Sequence, residues 1–138
     1  MNALSAYDAG AYGVAFTEWR RLAEAGDLDA QVALAGLYEA GLGVPQNYRA
    51  AARWYQRAAH RGNVIARLNI GEFYSRGIGV ARDRARAWFW LSLAADGGSN
   101  WARHRRAVLA GTMAPGELSR AEALMKANRQ EGQGNPER

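Results

Sequence analysis

At 138 residues the chain can bury about two thirds of the surface its unfolded form exposes, so it can fold without a disulfide or metal. Hydrophobic residues make up 49% of it and five are tryptophan, which argues against disorder, while the absence of cysteine excludes disulfides, thiolate nucleophiles and cysteine-ligated metals. The formal charge of +5 rests almost wholly on arginine, scattered from Arg20 to Arg138 with short clusters at Arg82–Arg86 and Arg103–Arg106, a pattern of solvated helix faces rather than a nucleic-acid footprint.

No apolar run approaches the ~20 residues needed to cross a bilayer. Residues Met1–Ala11 lack a basic start followed by an apolar stretch, so they do not read as a secretory signal. The expected location is soluble: cytoplasmic as the chain stands, periplasmic where a leader has been removed.

The first elements expected are a short helix over Leu4–Ala9, turned by Gly10, and a second helix carrying Tyr12, Ala15 and Ala23 and ending at Gly26. Together they form a modified N-terminal hairpin, residues 2–29. Tyr12, Ala15, Ala23 and Gly26 stand 36 positions before Tyr48, Ala51, Ala59 and Gly62. The same offset relates two complete units without a gap, residues 30–65 and 66–101. Ala30 falls on Ala66, Tyr38 on Tyr74, Gly41 on Gly77, Gly43 on Gly79 and Trp54 on Trp90. Self-similarity at a fixed period of this length signals a stack of helical hairpins.

Within the first complete unit, Ala30, Leu34, Leu37 and Tyr38 recur at helical spacing and make one apolar side. Gly41 ends that helix by entering left-handed backbone space. Asn47, matched by Asp83, is placed to cap a second helix bearing Ala51, Trp54, Ala58 and Ala59. Small alanines let helices approach closely, and Leu34, Tyr38, Trp54, Tyr74 and Trp90 are expected in the core. One hairpin cannot bury its apolar side alone; its neighbours do so. A further first helix is expected from Trp101, then a helix opened by Pro115 with Leu118, Ala121, Leu124 and Met125 inward. These make a capping hairpin, 102–131, followed by a frayed tail, 132–138. The fold class is all-α, a solenoid of antiparallel helix hairpins.

The run Ala30-x-x-x-Leu34-Ala35-x-x-Tyr38-x-x-Gly41-x-Gly43-Val44, continuing as Asn47-x-x-x-Ala51-x-x-Trp54-Tyr55-x-x-Ala58-Ala59-x-x-Gly62, resembles the Sel-one-like repeat family, relatives of the tetratricopeptide repeats. Ala66 to Gly98 matches again, with Gly71 and Asp83 where the first copy has Ala35 and Asn47. The resemblance implies a right-handed superhelix whose concave side grips peptides or protein surfaces, in members that act as adaptors in signalling, secretion, envelope assembly and host interaction. Some members hold a disulfide in each repeat; this chain has none, so packing alone must stabilise it.

Binding is then expected at first-helix positions that the repeat does not fix. In the unit 66–101 these include Asn69, Glu72, Ser75 and Arg76, which share a face through spacings of three and four. Ala33, Gly36, Glu39 and Ala40 are their equivalents, and Arg67, Trp101 and His104 extend the patch. The candidate partner-binding set is Glu39, Arg67, Asn69, Glu72, Ser75, Arg76, Trp101 and His104. Gly41-Leu42-Gly43-Val44 and Gly77-Ile78-Gly79-Val80 are not phosphate loops, because a helix precedes each and no lysine follows. His60 and His104 lie in different units, which disfavours a metal site. No His–Ser–carboxylate frame stands out, so no enzymatic activity and no cofactor is expected.

The function expected is non-catalytic capture of an unidentified protein or peptide by a monomer or weak oligomer. Two alternatives remain open: an envelope factor contacting peptidoglycan or its hydrolases, and electrostatic binding of nucleic acid or anionic lipid through Arg82, Arg84, Arg86, Arg103, Arg105 and Arg106.

Overall fold

A computed structural model describes residues 2–132, and every regular element among them is a helix. In order these are α1 (Ala3–Asp8), α2 (Tyr12–Glu24), α3 (Leu28–Ala40), α4 (Tyr48–His60), α5 (Val64–Arg76), α6 (Arg84–Asp96), α7 (Asn100–Ala110) and α8 (Pro115–Gly132). None is long and apolar enough to cross a membrane. The tail expected beyond Gly132 lies outside the described residues.

Local chemistry sets the helix ends. The side chains of Asp27, Asn63 and Ser99, each 36 residues from the next, accept the backbone N–H of Ala30, Ala66 and Ala102 at 2.8–3.0 Å and start the first helices. Asn47 and Asp83 do the same for α4 and α6, as their spacing suggested. Gly41 and Gly77, both left-handed, stop α3 and α5. Pro115 opens α8.

The helices then pair in chain order, α1 with α2, α3 with α4, α5 with α6, and each second helix also packs on the first helix of the next unit. Fully buried alanines, among them Ala51, Ala58, Ala59, Ala66, Ala87 and Ala94, bring the backbones close, and Leu34, Leu37, Ile70 and Leu91 fill the space between. Successive units are also clasped through their loops. Gly43 lies against the backbone of Tyr12 and Gly13, and Gly79 against that of Tyr48 and Arg49. Each loop thus holds the start of the second helix one unit earlier.

The last two helices depart from the hairpin pattern, for α7 and α8 both pack chiefly on α6. Helix α8 runs parallel to α6, with Arg120 paired to Asp83 (2.6 Å) and Glu117 to Arg84 (3.4 Å) at one end. At the other end Met125 lies beside Leu93.

One core expectation is corrected. Leu34, Tyr74 and Trp90 are buried, but Tyr38 and Trp54 are only half-buried. Trp90 is sealed by Phe89 and by the edge of His60, each 5.0 Å away between ring centres, on a helix that α8 covers. At the equivalent places around Trp54 stand Arg53 and Glu24, which keep their charges in water and leave the indole partly open.

Candidate functional site

The first helices α3, α5 and α7 carry all the candidate residues, Glu39 and Ser75 at equivalent positions, but the structure gives those residues different tasks. Arg67 is half-buried and its Nε donates to the carbonyl oxygen of Ala59 at 3.0 Å, closing the end of α4. Gln31, one unit earlier, does the same to Ala23 at 3.2 Å. Burial holds the Arg67 guanidinium below its usual range, with the Asp96 charge opposing. This position joins units.

Glu39 accepts a hydrogen bond from the hydroxyl of the buried Tyr55 at 2.9 Å, linking α3 to α4. Burial first, then the charge and hydrogen bond of Glu39, pushes the Tyr55 phenol well above its ordinary value. Its equivalent, Ser75, faces a unit with leucine in place of that tyrosine and holds no such bond.

Glu72 is held by Arg105 through two contacts, Nε–Oε1 at 2.9 Å and Nη2–Oε2 at 3.3 Å, and by Arg76 at 3.6 Å. Both partners of the forked pair are shielded, 18% and 26% exposed, so the pair ties α5 to α7 more firmly than a surface ion pair would. The fork raises the Arg105 pKa through its hydrogen bonds to Glu72. Asn69 and Ser75 sit half-buried on the same helix. Of the eight candidates, then, Arg67, Glu39 and Glu72 are engaged within the fold, and Arg76 reaches solvent while touching Glu72.

Trp101 and His104 differ. Trp101 is 60% exposed and lies 6.1 Å from the imidazole of His104, with Val108 further along the same face of α7 at 48% exposure. Ile65, which occupies the Trp101 position one unit earlier, is 59% exposed. Exposed apolar side chains thus stand on α5 and α7 along the first-helix face, as Leu4, Tyr7 and Val14 do at the N-terminal hairpin, and Asn69 and Ser75 continue the former with polar groups.

The arginine clusters named as an alternative are largely committed. Arg84 pairs with Glu117 (3.4 Å), Arg86 with Asp83 (3.3 Å) and Arg105 with Glu72, while Arg106 covers the Trp88 ring at 5.8 Å and Arg103 bonds Asn100. Sequence reasoning passes over a different arginine row: Arg49, Arg53, Arg57 and Arg61, every fourth residue of α4 and just beyond it. That spacing stacks them along one helix face and is itself visible in the sequence. Among the described residues, no group of three or more His, Asp or Glu side chains is placed to hold a metal ion.

This geometry defines a helical-repeat solenoid, built from hairpins that bury one another and present a row of first helices. The Sel1 repeat profile matches residues 28–63 and 64–99, each beginning at the first residue of a first helix, and the chain belongs to the Sel1 repeat family. Among solved structures it is similar to c5321, a protective antigen present in uropathogenic Escherichia coli strains and displaying an SLR fold. The TM-score is 0.83 at 26% identity, over 98% of this chain and 31% of that one, so the chain spans about a third of that antigen. It is also similar to a Sel1 repeat protein from Oxalobacter formigenes, with a TM-score of 0.66 and 39% identity over 67% of this chain and 70% of that one. No curated protein matches the chain significantly.

Proposed function

We propose that the chain is a non-catalytic interaction module that holds a peptide or a surface segment of a partner protein on its first-helix face. The observation that carries this reading is the exposed tryptophan. A side chain of that size left 60% open on a rigid helix, beside His104 and Val108, loses apolar surface to water that a partner would cover. Membership of a repeat family built as scaffolds supports it, because such arrays leave their variable first-helix positions free for recognition. Trp101 and His104 are the anchor, Asn69 and Ser75 the adaptable polar contacts, and Arg76 a charged rim. Glu39, Arg67 and Glu72 serve by shaping the face.

The test is affinity capture from the source cell, identification of the captured protein by mass spectrometry, and titration of it against Trp101→Ala and His104→Ala variants. Losing an anchor of this kind costs about 2 kcal/mol or more, so binding should weaken about thirtyfold with helicity unchanged. Equal affinity of the wild type and the Trp101→Ala variant would remove the first-helix face from consideration.

A further inference from the structure

The second helices carry different side chains at positions that face away from the first helices. On α6 that outward row is Ala85, Phe89, Ser92 and Leu93, buried or nearly so because α8 lies along it. Thirty-six residues earlier the same row on α4 is Arg49, Arg53, Gln56 and Arg57, of which the three arginines are exposed and Gln56 half-buried. Packing of α4 is spent on α3 and α5, and no described element covers this row.

The row is built as a charged seat. Arginines every fourth residue place cations about 6 Å apart along one helix face. Among the described residues none of Arg49, Arg53 and Arg57 makes an ion pair. A cleft of about 320 Å³ opens between α2 and α4, lined by Arg20, Glu24, Tyr38, Arg53, Trp54 and Arg57. The Arg57 guanidinium lies 4.4 Å from the centre of the Trp54 ring, and Glu24 is taken by Arg20 at 3.1 Å. Arg53 and Arg57 therefore stand without an ion-pair partner of their own beside a partly open indole, with two arginines in excess of the Arg20–Glu24 pair in the cleft.

We infer that the outward face of α4 is a second docking surface, taking an acidic helix of a partner protein seated on α4 as α8 is seated on α6, with an apolar side chain entering the cleft over Trp54. Three observations select this occupant. The α6–α8 pair shows that the equivalent row accepts a helix lying parallel to it. Carboxylates at every fourth position of such a helix would meet the arginines in register. The cleft also offers the aromatic surface of Tyr38 and Trp54, which suits an apolar side chain of such a helix better than a phosphate backbone. A second copy's α8 is a poor complement, because Glu117, Glu122 and Glu131 are balanced there by Arg120, Lys126 and Arg129. The inference stands apart from the first-helix reading and survives its failure.

The experiment uses the full chain and a fluorescent synthetic peptide of the length of α8, with glutamate at every fourth position and leucine on the adjoining face. Its comparators are a scrambled peptide of the same composition and a single-stranded oligonucleotide of matched charge. Anisotropy should show saturable binding of the patterned peptide, about tenfold tighter than either comparator and weakening with salt. The double variant Arg53→Gln/Arg57→Gln should lose about tenfold, and Arg82→Gln/Arg103→Gln, equal in charge, less than about twofold, with circular dichroism unchanged in both. Equal losses in the two double variants, equal binding of the scrambled peptide, tighter binding of the oligonucleotide, or no saturable binding of the patterned peptide would each overturn the proposal.

Discussion

Gly43 and Gly79 occupy the two crossings where a loop meets the backbone of the preceding unit. A Cβ on Gly79 would stand 2.2 Å from the Tyr48 carbonyl oxygen, and φ is +68° there. The obstacle is backbone, which cannot rotate aside. Left-handed geometry costs a non-glycine residue about 1–2 kcal/mol on its own. With the clash added, Gly79→Ala should lower stability by about 3 kcal/mol or more, or roughly 6–12 °C in thermal midpoint. Gly36 is the counter-case, since it lies inside α3 and a methyl group added there would find the Tyr55 hydroxyl as its nearest neighbour, 3.9 Å away. Gly36→Ala should therefore stabilise by about 0.5–1 kcal/mol. Thermal unfolding followed by circular dichroism distinguishes the two; a tolerated Gly79→Ala would mean the loop clasp is slack.

Helix α8 decides what the solenoid hides. It covers Leu93 and the outer side of α6 and supplies the partners of Asp83 and Arg84. Ending the chain after Ala114 would re-expose Leu93 and remove the inward side chains of Leu118, Leu124 and Met125 from the core, each large apolar side chain being worth about 1.5–3 kcal/mol when buried. The truncated chain should lose about 4 kcal/mol or more and bind a hydrophobic dye, and an unchanged thermal midpoint would contradict the packing described. The same element marks the boundary of what the sequence makes legible. Caps at Asn47 and Asp83 and stops at Gly41 and Gly77 can be read because each acts on its own few residues. The capping triplet Asp27, Asn63 and Ser99 is equally readable from the residue after each unit's closing glycine, and it sets the true start of the first helices. Trp54 defeats such reading because its cover depends on which neighbour lies over the row beside it, not on its own helix. Likewise Glu72 looks free for binding in the sequence, since its partner Arg105 is 33 residues away on another unit. The face where Trp101 and His104 sit is legible; which members of that face are already occupied is not.

For the molecule as a whole, ionisation sets a pH window. His60 has its pKa lowered, first by burial against Trp90 and then by the charge of Arg67. The folded chain thus holds this imidazole neutral where the unfolded chain would protonate it. Its contribution is complete above about pH 6.5 and is lost as pH falls through the folded value. Asp83 is also lowered: burial pushes its carboxyl up, but hydrogen bonds from Arg120 and the Arg86 backbone, with both charges, outweigh that. Its share is present above about pH 4 and disappears below. Thermal midpoints should hold level well above about pH 6.5, step down as pH falls below it, and step down again as pH falls below about pH 4. His60→Gln should remove the first step and leave the second; a first step of undiminished size in that variant would assign it elsewhere.

Because Gly79 grips Tyr48 just as Gly43 grips Tyr12, each module finishes the fastening begun by the one before it, and both seams have the same shape. Duplicating residues 28–63 in place would create another identical seam and disturb neither terminus. An insertion that changes the spacing between a clasping glycine and its target would leave that fastening without its counterpart, so whole modules are the additions that keep every seam.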